Sequence, residues 1–203
     1  MKRLFLAASA ALVFCAPSFA QSSSWSIDPH HSSANFSIRH MMVSNVRGGF
    51  SKVSGTINYD GKDVTHAAVD AAIDTTTINT QEPNRDKHLS GPEFFDVAKY
   101  PLMTFKSKKI TPAGEGRYKM IGDLTLHGVT KEVALNLDEL SPQIKDKDGN
   151  LHMGASANGK INRKDFGISY GGVLDNGGAM IGDDVSLNID VELLKKVAVT
   201  SSN

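Results

Sequence analysis

The chain has 203 residues, with 22 Lys and Arg balanced by 22 Asp and Glu, and a single cysteine. The neutral balance leaves no overall basic surplus to meet nucleic-acid phosphates or an anionic membrane. One cysteine excludes an internal disulfide, so stability must come from a hydrophobic core, which at this length fits one domain.

Residues 1–20 read as a secretory leader. Lys2 and Arg3 precede an apolar run from Leu4 to Ala16, too short to span a membrane, and Ser18-Phe19-Ala20 offers small residues for cleavage before Gln21. The cysteine, Cys15, lies in this leader, and bulky Phe14 before it argues against a lipoprotein signal. The mature chain, 21–203, is therefore expected as one domain in the periplasm. It has a slight acidic excess and no second stretch of transmembrane length, so no integral membrane protein is expected.

From Trp25-Ser26-Ile27 onward the chain alternates apolar and polar residues with period two. The first of eight long strands carries Ala34, Phe36 and Ile38, the second Gly55, Ile57 and Tyr59, and the third Ala67, Val69, Ala71 and Ile73. After a long connection come Met103 and Phe105, then Tyr118, Met120, Leu124 and Leu126, then Val133, Leu135 and Leu137. Met153, Ala155, Ala157 and Ile161 mark the seventh strand, and Val185 to Leu193 the eighth. Such alternation marks strands with one buried and one wet face. Asp60-Gly61, Ala113-Gly114, His127-Gly128 and Asp148-Gly149 are turn signals between them.

The connection from about Asn79 to Tyr100, between strands 3 and 4, alone has helical chemistry. Asn84 is expected to cap a short helix with Arg85 and Asp86 in its first turn, and Ser90 with Glu93 has capping-box spacing for a second turn. Phe94 and Phe95 point to different sides, so at least one should pack inward.

Eight amphipathic antiparallel strands are expected to close into an all-β, lipocalin-like barrel, because closure removes the unpaired edges. Eight strands leave room for packed side chains or one small ligand. The small inward residues Ala34, Gly55, Ala67, Ala71, Ala155, Ala157 and Gly159 argue for a slot, while Phe36, Ile57 and Phe105 could fill it.

No histidine pair has zinc-binding spacing, no Gly-x-Ser-x-Gly elbow appears, and Gly171-Gly172 and Gly177-Gly178 do not open a helix as a phosphate cradle would. No cofactor, no resident metal and no catalytic residue is expected. Strands could still gather His31, His40, His88 and His127 at the barrel mouth, which keeps a histidine- or metal-dependent enzyme as the alternative, beside a structural barrel with a filled core. Arg85 and His88 could offer donors to a ligand head group. Alternatively Arg85 and Asp86 pair with Arg163, Asp165 or neighbours to fix the insert.

Trp25-x-Ile27-Asp28-x-x-His31-Ser32, Phe36-x-Ile38-x-His40 and Val46-x-Gly48-x-Phe50 resemble the opening of YceI-like proteins. Arg85-Asp86-x-His88-Leu89, Phe94-Phe95-Asp96, Tyr100-Pro101 and Phe105 resemble that family's central signature. Gly122-x-Leu124-Thr125-x-His127-Gly128-Val129 and Asn162-Arg163-x-Asp165-Phe166-Gly167 resemble its later blocks. The resemblance covers essentially the whole mature chain. It implies a secreted lipocalin-like barrel that holds a polyisoprenoid, an isoprenoid quinone or a fatty-acid-like lipid, and it implies no enzymatic reaction. The expected ligand contacts are Phe36, Ile38, Ile57, Val69, Phe105, Leu124, Leu135, Ala157 and Ile189, with Phe94 or Phe95 closing one end and Arg85 and His88 near the head group. A homodimer is compatible with the sequence.

Overall fold

The computed structural model describes residues 23–196; the expected leader, with Cys15, lies outside the described residues. The elements in order are β1 (Ser23–Ile27), β2 (Ser33–His40), β3 (Ser44–Phe50), β4 (Val53–Tyr59), β5 (Ala68–Asp74), β6 (Ile78–Asn79), α1 (Pro83–Leu89), β7 (Leu102–Gly114), β8 (Arg117–Leu126), β9 (Val129–Leu137), β10 (Ile144–Lys145), β11 (Leu151–Asn162) and β12 (Ile181–Lys195).

All strand pairings are antiparallel, and they close into a barrel of eight staves. The long β11–β12 ladder, from Leu151↔Lys195 to Asn162↔Asp184, joins the last two staves. The first stave is interrupted: β1 and β2 lie along the same edge of β12, with Ile27 opposite Leu193 and Ala34 opposite Ile189. The second is interrupted too, since β4 pairs with β1 and β3 pairs with β2. β5, β7, β8 and β9 complete the circuit, and β9 meets β11 through only three pairs around Asn158↔Asn136.

The expected turns form where glycine supplies a left-handed backbone. Gly61, Gly114, Gly128 and Gly149 have φ of 82°, 84°, 76° and 89°. At Gly128 a second requirement applies, because an added Cβ would lie 2.5 Å from the Tyr100 ring. β7 runs further than Met103 and Phe105 suggest. A bulge between Ser107 and Lys109 shifts the inward phase from odd to even positions, so Ile110 is buried in the core and the strict alternation breaks there.

Inward side chains form two packed groups along the barrel axis. One surrounds Trp25, Ile57, Met120, Leu135 and Leu193, and the other Phe50, Phe94, Met103, Leu126 and Phe166. The outer wall is charged, with ion pairs Lys106–Asp70, Lys108–Asp123, Lys108–Glu132 and Lys160–Asp184. That is the opposite of the apolar belt a membrane-spanning barrel presents to lipid. No helix among the described residues is long and apolar enough to cross a membrane.

α1 begins earlier than the sequence suggests. Glu82, not Asn84, is the cap, accepting hydrogen bonds from Asn84 N and Arg85 N, and Pro83 occupies the first helical position. Ser90 ends the helix instead of opening a second one: its hydroxyl donates to Asp86 O at 2.8 Å, while Glu93 goes to His88.

Candidate functional site

A cavity of about 450 Å³ runs through the barrel and touches both packed groups. The size is within the range of small-molecule and lipid-chain sites. Its walls come from the inward positions of every stave. Ala67, Ala71, Ala155 and Ala157 leave space that larger residues would fill. Phe36, Ile38, Ile57, Val69, Phe105, Leu124, Leu135, Ala157 and Ile189 all line it, as do Phe94, Phe95, Arg85 and His88.

The charged groups on this wall sit at one end. Arg39, His40, Arg85, His88 and Arg163 line the cavity where the insert and the β11–β12 loop meet the barrel, and no carboxylate lines it. Four of the five exposed lining residues, Arg39, His88, Tyr170 and Met180, are also at this end, the fifth being Asn35, whereas the far end is closed by buried Tyr59, Val64 and Leu137. The site is an apolar slot with one cationic mouth.

Two devices shape the mouth. The first is the insert. Asp86 Oδ1 accepts from Thr80 N at 2.8 Å and from Thr80 Oγ1 at 2.5 Å, and Arg85 donates from Nε to Thr80 Oγ1 at 2.8 Å and from Nη2 to Thr80 O at 2.9 Å. The expected pairing of Arg85 and Asp86 with Arg163 or Asp165 does not form, because both side chains turn back onto the buried Thr80 that precedes their own helix. Phe95 stands edge-on to Phe50 with centroids 5.4 Å apart, and Phe50 lies 6.1 Å from Phe36. Phe94, His88 and Tyr170 form a three-ring cover with all centroids 5.0 Å apart.

The second device is Arg163, which the sequence suggests only as a motif residue and as a partner for the insert. Its side chain is buried at the root of the β11–β12 loop. Nε donates to Gly182 O at 2.9 Å, and Nη1 donates to Ile168 O at 2.9 Å and Tyr170 O at 2.6 Å. Asp183 lies 3.4 Å from Nη2. Burial pulls the guanidinium below its ordinary value and Asp183 works against that, but an arginine stays charged in either case. One cation therefore folds the loop that carries Tyr170 over the mouth.

The four histidines do not assemble. His40 and His88 are at the mouth, and His88 Nε2 is 2.8 Å from Glu93 Oε2. His127 is held by Phe166 O at 3.3 Å and meets the Tyr100 ring edge-on, with centroids 4.8 Å apart. His31 is at the break between β1 and β2, away from the cavity wall, with Asp28 Oδ2 at 3.0 Å. There it joins a cluster that sequence spacing could not reveal. Asp28, His31 and Glu192 place one ligand-type atom each within 4.8 Å of one another. His152 bridges Glu192 at 2.7 Å and Asp146 at 3.1 Å. Hydrogen bonds to these carboxylates raise both histidines, Glu192 acting first on His152 and Asp28 first on His31. Asp146 falls to about 2, chiefly through the Asn150 side chain. Hydrogen bonds already engage these groups with one another, so the cluster reads as a clasp across the strand break.

Comparison with known proteins places this geometry. The YceI-like domain family matches residues 25–193. A UPF0312 protein of Vibrio cholerae is 33% identical over 174 residues, which cover 85% of this chain and 92% of that protein. The crystal structure of the YCEI protein of Campylobacter jejuni superposes with a TM-score of 0.65 at 36% identity, over 78% of this chain and 90% of that one. A polyisoprenoid binding domain from Saccharophagus degradans shares the fold alone, with a TM-score of 0.61 at 17% identity over 85% and 98% of the two chains.

Proposed function

The chain belongs to the YceI-like domain family, and from that premise we propose that it is a binding protein, not an enzyme, that holds the chain of an isoprenoid-type lipid inside the barrel. The observation that carries this reading is the cavity itself: apolar along its length, closed at one end, and charged only at its mouth. Each methylene moved from water into such a slot contributes about 0.8 kcal/mol, so a long tail binds without demanding head-group chemistry. The structural neighbour named for polyisoprenoid binding has the same fold, which supports this ligand class.

The mouth refines the head group. Arg39, Arg85 and Arg163 face it without a lining carboxylate, which favours a carboxylate, phosphate or quinone oxygen there over a cation. The leader expected at residues 1–20 from the sequence is the support for a periplasmic location. Organic extraction of protein purified from its native host, followed by mass spectrometry, tests the ligand class. A prenyl lipid, quinone or fatty-acid derivative in stoichiometric amount is expected. Empty barrels that also refuse such lipids on addition would contradict the proposal.

A further inference from the structure

Eight large apolar side chains are exposed among the described residues, and six of them, Met41, Met42, Val43, Tyr170, Val173 and Met180, belong to the β2–β3 turn or the β11–β12 loop. These two segments form one surface. Met41 N donates to Met180 O at 2.8 Å, and a Cβ at Gly178 would lie 3.2 Å from Met42 Cγ. Tyr170 and Met180 also line the cavity, so the patch is continuous with the inner wall of the barrel.

The turn is an expensive place for these residues. Met41 and Met42 have φ of 50° and 61°, the two left-handed positions of a His40–Val43 turn closed by Val43 N to His40 O at 3.0 Å. Asn and Gly normally occupy such positions, because side chains there strain the backbone. Here they carry methionines that are 43% and 54% exposed, followed by Val43 at 76%, with Val173 at 78% across the rim. Neither the backbone conformation nor the exposed apolar surface is repaid by packing inside the barrel.

Charge identifies what covers the patch. From Pro29 to Tyr59 the chain has no acidic residue, while Arg39 and Arg47 flank the turn and are exposed. Arg39 Nη2 also braces the turn by donating to Met42 O at 3.0 Å. Across the rim the stretch from Val173 to Met180 carries one exposed carboxylate, Asp175, so two arginines outweigh one acid around the patch. An apolar tip with this net-basic rim matches the interface of an anionic bilayer, where the tip enters the acyl boundary and arginines meet the phosphates. We infer that the Met41–Val43 turn, with Val173 and Met180, docks the barrel mouth onto an anionic membrane surface, so that lipid passes between bilayer and cavity without crossing water. This rests on the lipid-binding reading and adds where the cargo enters.

Two readouts separate the inference from its premise. Flotation with phosphatidylglycerol-containing vesicles reads docking, and uptake of retinol, a fluorescent prenyl alcohol, added from ethanol reads binding. Val43→Asp and Val173→Asp change largely exposed residues outside the cavity wall. Each is expected to cut flotation and the rate of retinol transfer from vesicles by about tenfold, with ethanol-delivered uptake unchanged. Flotation should also fall in phosphatidylcholine vesicles and at high salt. Wild-type protein that takes retinol from ethanol but ignores anionic vesicles, or variants that float as well as wild type, overturn docking and leave the binding reading intact. A homodimer in solution that Val43→Asp dissociates also overturns it, since the patch is then a self-interface. Loss of retinol uptake by both routes in a wild-type protein that still floats overturns the premise instead.

Discussion

Arg163 Nη1 donates to the carbonyl oxygen of Tyr170 at 2.6 Å, and this contact ties a buried cation to the ring that covers the pore. The same guanidinium holds the carbonyls of Ile168 and Gly182, so the loop from Gly167 to Met180 is wound around one side chain. Tyr170 then meets His88 and Phe94 of the insert. Two segments far apart in sequence thus meet over the cavity because one residue shapes each: Arg163 in the loop, and Asp86, through Thr80, in the insert.

Arg163→Ala strands the buried carbonyl of Ile168 and the part-buried carbonyls of Gly182 and Tyr170, and each lost partner, where water does not replace it, costs on the order of 1–3 kcal/mol. A destabilisation of about 2–4 kcal/mol in chemical denaturation is expected, with faster release of a bound fluorescent lipid. Unchanged stability would mean that the loop keeps its shape without the cation.

Arg85 separates a head-group role from a structural one. Its Nε and Nη2 already serve Thr80, yet the residue lines the mouth. Arg85→Ala should weaken geranylgeranyl diphosphate more than geranylgeraniol, by about tenfold in the ratio of dissociation constants, as expected for loss of one charge-assisted contact. An equal loss for both lipids, read by competition binding, would assign Arg85 to the insert alone.

The clasp on the outer wall gives a pH dependence. His152 is raised above 6.5 by Glu192 and Asp146, so its contribution is full below pH 6.5 and disappears as pH rises through the raised value. Asp146, lowered from 3.8 to about 2, contributes above pH 3.8 and loses that contribution as pH falls towards 2. His31, raised by Asp28 and then Glu192, acts in the same sense as His152. Urea midpoints are therefore expected to fall between about pH 5.5 and about pH 8.5, and His152→Gln should flatten that slope. A variant with the wild-type slope would remove His152 from the account.

The eight staves were legible because long stretches of each keep period two, and turn glycines such as Gly61, Gly114 and Gly128 mark several of their ends. The insert was legible because residues 79–100 break that period. The interruptions were not. β3, Ser44–Phe50, alternates Val46, Gly48 and Phe50 with Asn45 and Arg47, but the inward glycine supplies no side chain and the pattern is too faint to read as a strand; Gly48 is needed there because a Cβ would meet Thr80 and Phe36 at under 3 Å. The helix start at Glu82 carried a readable signal in Pro83, which marks a first helical position. The role of Arg163 and the Asp28–His31–Glu192–His152 cluster had no local signal. Both depend on strands brought together by barrel closure, and spacing along the chain does not encode those distances. His31, His40, His88 and His127 failed to gather for the same reason: the closed barrel leaves His31 outside its wall.

The most direct measurement fills the cavity from within. Ala71 and Ala157 both line it on opposite sides of the circuit, on β5 and β11, and Ala71→Phe with Ala157→Phe would occupy space now empty instead of displacing packed neighbours. Retinol titration of the folded double variant, monitored beside its thermal unfolding, should show binding reduced by at least about a hundredfold with the fold retained. Wild-type affinity in a folded, plugged barrel would show that the chain binds elsewhere and contradict the account.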